Sequence, residues 1–154
     1  MQKSTLLIAA LLFAVVAAAF LLQLLQKPSL LRVAQKPILT PNEIEFFGRL
    51  RTALPELAIF PQVAMGALLK PDASGKDYHR IRGTFAQKII DFVICDPETL
   101  EVIALVELDD RTHDPAKDAK RDKITGAAGY KTIRWQSKTR PEPDEIRQAV
   151  LAIA

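Results

Sequence analysis

The sequence predicts an α/β sandwich built on one mixed sheet, in the order helix, three strands, helix, strand, helix, preceded by one N-terminal transmembrane helix. Three observations carry this. No charge interrupts the 23 residues from Ser4 to Gln26. Two almost wholly apolar runs, KIIDFVIC and VIALVELDD, follow one another in mid-chain with only a short polar turn between them. Stretches of helical spacing stand before and after that pair. The composition is that of a globular protein, with 49% apolar and 25% charged residues. About 118 residues run from Pro37 to the end, enough for one compact core and too few for a second domain. Cys95 is the only cysteine, so there is no disulfide partner.

Leu6–Leu25 is twenty residues long with Gln23 as its one polar member. As a helix it rises about 30 Å, the thickness of a bilayer's hydrocarbon core. A cleaved signal peptide is the competing reading, with Lys3 as its basic start and Ala17-Ala18-Ala19 as the small-residue site, but the apolar run continues past the alanines. The expectation is therefore a retained single-pass membrane anchor over residues 1–26, a juxtamembrane linker over 27–38 and a domain over 39–154. Lys27, Arg32 and Lys36 follow the apolar run, against Lys3 and the terminal amine before it. That balance places the domain on the cytoplasmic side of the cell membrane.

Within the domain, Thr40-Pro41-Asn42-Glu43 carries the signals of a helix start: a capping threonine, proline at the first helical position and an acid three residues after the cap. Ile44, Phe47, Leu50 and Leu54 recur at helical spacing, and Pro55 ends the run. Leu57–Val63 is the first strand, with Pro61 marking an edge or a bend. Lys70–Gly83, rich in Gly, Pro, Asp and Lys, reads as a loop. Phe85–Cys95 and Leu100–Asp109 are strands joined by the turn Asp96–Thr99. Asp114–Ala128 is a charged helix stopped by Gly129. Tyr130–Trp135 is the fourth strand, and Pro143–Ala154 an amphipathic helix with Ile146, Val150 and Ile153 on one face.

The net charge of +3 hides a division. Lys3, Lys27, Arg32 and Lys36 lie ahead of the domain, which itself holds 17 bases against 18 acids. The basic isoelectric point is thus no nucleic-acid footprint. Within the domain one local excess stands out: Lys70, Lys76, Arg80, Arg82 and Lys88 against Asp72 and Asp77.

Asp91 lies among Ile89, Ile90, Phe92, Val93 and Ile94, and Glu107 and Asp109 end an equally apolar run. Strands this apolar are covered on both faces, where ionised carboxylates need a neutralising partner. Glu107 and Asp109 are two apart and share a face, and a hairpin brings Asp91 alongside them. Three such carboxylates form a hard-oxygen site suited to Mg²⁺ or Mn²⁺, with Asp91, Glu107 and Asp109 as the metal ligands.

The ordered set IDFVICD, ALVELDDRTHD and KRDKITGAAGYKTIRW, together with the entry LTPNEIEFF, resembles the PD-(D/E)XK, restriction-endonuclease-like superfamily. More narrowly it resembles the domain-of-unknown-function 2726 family, a relative of the very-short-patch-repair type endonucleases. The likeness runs from Leu39 to about Trp135 and implies a restriction-endonuclease-like αβββαβ core. Asp91 then matches the superfamily's metal-binding aspartate and Glu107 the acid of its (D/E)XK motif, whose lysine position is held here by Asp109. His113 matches the histidine that follows an ExD string in the repair-type relatives, a general acid or base of near-neutral pKa. Asp91, Glu107, Asp109 and His113 are thus the implied catalytic residues. Glu43, Gln62, Arg121, Asp122 and Arg134 fall on supporting or substrate-binding positions, although Glu43 is also accounted for as a capping residue and Gln62 as an edge-strand side chain.

The activity this resemblance implies is Mg²⁺- or Mn²⁺-dependent hydrolysis of a phosphodiester in nucleic acid, by a membrane-anchored nuclease. The competing expectation is a tethered binding domain that keeps the nuclease fold without catalysis, since fold alone confers no activity.

Overall fold

The computed structural model describes residues 2–25, 32–109 and 115–154. Two compact units divide at Lys36 and Pro37. The first contains helix α1 (Gln2–Leu25). Among the described residues, however, no helix is long and apolar enough to cross a membrane. The expected transmembrane helix is corrected on that finding.

In the second unit the elements are α2 (Pro41–Ala53), β1 (Ala58–Ala64), α3 (Met65–Leu68), α4 (Gly75–Gly83), β2 (Ile89–Cys95), β3 (Val102–Asp109), α5 (Pro115–Ala127), β4 (Thr132–Gln136) and α6 (Pro143–Leu151). The four strands form one mixed sheet in the order β1-β2-β3-β4. β1–β2 and β2–β3 are antiparallel, while β4 returns parallel to β3 after the crossover through α5. Pro61 sits on edge strand β1, where its missing N–H costs the sheet least.

Both faces of the sheet are covered. On one, Phe92, Ile94, Ala104, Val106 and Leu108 pack with Phe46, Leu50 and Ala53 of α2 and Ile146 and Val150 of α6. On the other, Val93, Cys95 and Leu105 pack with Met65, Phe85, Ile124 and Tyr130. This double cover is why β2 is apolar at every position but Asp91 rather than alternating. Burial raises the Cys95 thiol's pKa.

The capping box that starts α2 closes as expected: Glu43 N–H donates to Thr40 Oγ1 at 3.3 Å, and Thr40 N–H donates to Glu43 Oε2 at 2.6 Å. Of the expected apolar face of α2, Leu50 and Leu54 are fully buried and Phe47 packs against the core, but Ile44 is 57% exposed and Phe46 is buried instead. Two helical registers fit the sequence, and aromatic packing selects between them. The Phe46 ring meets Phe92 at 5.7 Å and Trp135 at 5.6 Å, both edge-on. Lys70–Gly83 is not a plain loop, because its second half forms α4, a helix with no buried residue. A short polar helix of this kind has no apolar periodicity to announce it. Gly129 ends the α5 segment at φ 85°, a backbone state open to glycine without strain.

Candidate functional site

The strand registers line up four polar side chains across the whole sheet. Pro61 pairs with Phe92 and Val63 with Ile90, which sets Gln62 opposite Asp91. Phe92 pairs with Val106, which sets Asp91 opposite Glu107, and Glu107 pairs directly with Arg134. Asp109, two residues beyond Glu107 on β3, shares its face.

Gln62 has φ 54°, the left-handed region that a residue with a Cβ enters only under strain. Beyond this twist Val63 and Ile90 join the same cluster as Val93 and Leu105, which strict alternation would not allow. Gln62 Nε2 donates to Glu43 Oε1 at 3.2 Å, tying the start of α2 to the end of the polar row. Glu43 therefore has two jobs, capping α2 and holding Gln62.

Asp91 Oδ2 accepts the Leu108 N–H at 2.9 Å, and the neighbouring Glu107 side chain pulls the Asp91 pKa down against its burial. Glu107 is 1% exposed and Asp109 5%. Burial in a poorly solvated site raises the Glu107 pKa to about 7, the Asp91 charge adds to the rise, and Arg121 opposes it. Asp91 is raised as well, by burial first, against the Leu108 hydrogen bond and with the Glu43 charge adding to the rise.

Two arginines neutralise this row. Arg121 on α5 directs Nη1 at both oxygens of Glu107, each at 2.9 Å. Its Nε is buried with no hydrogen-bond partner. Arg134 on β4 donates Nη1 to Asp109 Oδ1 at 2.8 Å and Nη2 to Asp122 Oδ1 at 2.9 Å. Thr125, 2% exposed, accommodates the junction of α5 and β4 by bonding the Arg121 and Asp122 carbonyls and the Thr132 hydroxyl.

Among the described residues, no group of three or more His, Cys, Asp or Glu side chains is placed to hold a metal ion. The physical reason is the division of the acids. Asp91 accepts the Leu108 N–H, Glu107 is engaged by Arg121, and Asp109 turns to Arg134. The expected Mg²⁺ or Mn²⁺ site on Asp91, Glu107 and Asp109 is corrected accordingly. His113 lies outside the described residues.

The structure thus brings Glu43 with Gln62, Glu107 with Arg121, and Asp109 with Asp122 and Arg134 into bonded groups, with Asp91 between the first two, coupled by charge along one polar row. The family model described as protein of unknown function (DUF2726) matches residues 35–153. The chain belongs to that family. No curated protein matches the chain. No solved structure matches it either.

In this DUF2726 chain, sequence reasoning missed the cationic helix. α4 carries Lys76, Arg80 and Arg82 on exposed positions, with the Tyr78 and His79 rings edge-on at 5.5 Å. Arg80 meets Asp77 at 3.1 Å with both side chains about 70% exposed, a pairing that water largely screens. The local excess of bases in the sequence was the available signal; their presentation on a helix was not.

Proposed function

We propose that this chain is a nucleic-acid-binding domain of restriction-endonuclease-like architecture that grips the phosphate backbone without hydrolysing it. The observation that carries this reading is the internal neutralisation of the acid row. Arg121 engages both oxygens of Glu107, and Arg134 bridges Asp109 and Asp122. The acids whose spacing suggested hydrolysis therefore act as a structural ion-pair network beneath the sheet's polar row. The PD-(D/E)XK resemblance supports the architecture through the chain's own element order, a helix, three antiparallel strands, a crossover helix and a parallel fourth strand.

Contact with nucleic acid falls to α4. Lys76, Arg80 and Arg82 are exposed and supply point charges for phosphates, while Tyr78 beside them offers a ring for an unstacked base. The test is fluorescence anisotropy of a labelled single-stranded 30-mer and of its duplex, titrated with the full chain at several salt concentrations. Binding is expected to weaken steeply with salt. The triple variant Lys76→Gln, Arg80→Gln, Arg82→Gln should flatten the log–log slope by about 2 to 3, near one per lost phosphate contact. The oligonucleotide is expected to be recovered intact. Cleavage by the wild type, or binding indifferent to the triple variant, contradicts the reading.

A further inference from the structure

A cavity of about 660 Å³ opens between α4 and α5. Its apolar lining is Leu69, Ile81, Ile124 and the buried Phe85, and Lys70, Lys120 and Lys123 line it against a single acid, Asp72. Its size lies within the range of about 300–1,000 Å³ that takes small-molecule ligands. We propose that this cavity binds an amphipathic monoanion, a long-chain carboxylate whose tail lies along Ile81 and Ile124 and whose head meets the three lysines.

Three observations select that chemistry. None of the three lysines makes an ion pair among the described residues, so the rim holds a net surplus of positive charge that an anionic head complements. Lysine stems lie readily along apolar walls while the ammonium reaches the mouth, which suits a headgroup at the entrance. The wall offers little hydrogen-bonding specificity, since the Thr84 hydroxyl is already spent on the Ile81 carbonyl at 2.7 Å. A nucleobase is read by hydrogen bonds along its edge, and with the Thr84 hydroxyl engaged the wall offers few of them. The proposal is independent of nucleic-acid binding on the outer residues of α4.

Isothermal titration of the full chain with dodecanoate, kept below its micelle-forming concentration, tests it. Dodecanol supplies the tail without the charge, and acetate the charge without the tail. Saturable one-to-one binding of dodecanoate is expected, with dodecanol weaker by about tenfold and acetate undetectable. Lys70→Gln with Lys123→Gln should abolish the preference for dodecanoate over dodecanol and leave dodecanol binding intact. Ala127→Trp, which fills the cavity, should abolish both, with circular dichroism confirming the fold and Ala128→Trp replacing it if the first variant does not fold. Acetate binding as well as dodecanoate, equal binding of dodecanol, undiminished binding by a folded tryptophan variant, or displacement of dodecanoate by a single-stranded oligonucleotide each overturn the proposal.

Discussion

Glu107 concentrates the energetics of the polar row. Its folded pKa of about 7 lies above its ordinary value of 4.5. The native state therefore binds this proton more tightly than the unfolded chain does. The contribution to stability is full below about pH 4.5 and is lost as pH rises to about 7, by on the order of 3 kcal/mol. Chemical denaturation of the wild type at pH 5 and pH 8 should show that loss. Glu107→Gln should flatten the dependence and be at least as stable as wild type at pH 8, because the amide keeps the shape without the buried charge. Arg121→Met tests the same balance from the other side. It leaves Glu107 buried without its cation and should cost about 3–5 kcal/mol at pH 8. At pH 5, where Glu107 is protonated, most of that penalty should vanish. The carboxylates themselves were legible in the sequence, being charges in apolar runs. Their arginine partner was marked only by the resemblance, which put Arg121 on a supporting position; by spacing alone it looks like one more charge on a polar helix, 14 positions after Glu107.

The β2–β3 hairpin and the edge of β1 show how single backbone states shape elements. Asp96 Oδ1 accepts from the Glu98 and Thr99 N–H groups at 2.9 and 2.8 Å, which makes the turn read so clearly from its Asp-Pro start. Closing that turn, however, requires φ 59° at Leu100, whose side chain is 58% exposed. A left-handed residue with a Cβ stores about 1 kcal/mol or more, and an exposed leucine gains little in return. Leu100→Gly should therefore stabilise the protein by about 1 kcal/mol in thermal or denaturant unfolding. Gln62 holds the same kind of strain, but its side chain bonds Glu43, so Gln62→Gly should gain less than Leu100→Gly does. Helix α2 was legible through its capping box, while its buried face was legible only in part, since Ile44 and Phe46 both fit helical periods and only the rings of Phe92 and Trp135 decide. α4 escaped detection because an exposed helix buries nothing that periodicity could report.

At the level of the whole molecule, the order of the four strands and of α2, α5 and α6 followed from apolar patterning, because the sheet is covered on both faces, while α3 and α4 did not. The membrane span did not survive, since among the described residues no helix meets the length and apolarity that a bilayer demands. The metal site did not survive either. Spacing placed three acids on neighbouring strands correctly, yet guanidinium groups arriving from α5 and β4 took up the charge a cation would have balanced. The central claim is that this acid row is held together by its own arginines. Thermal unfolding of the full chain at pH 8, with and without millimolar Mg²⁺ or Mn²⁺, in wild type and Glu107→Gln, tests it most directly. A ligand that binds the native state must raise the melting temperature in proportion to its occupancy. The account predicts no metal-dependent rise in either protein and an equal or higher melting temperature for Glu107→Gln. A saturable rise with metal in the wild type that Glu107→Gln abolishes would contradict it.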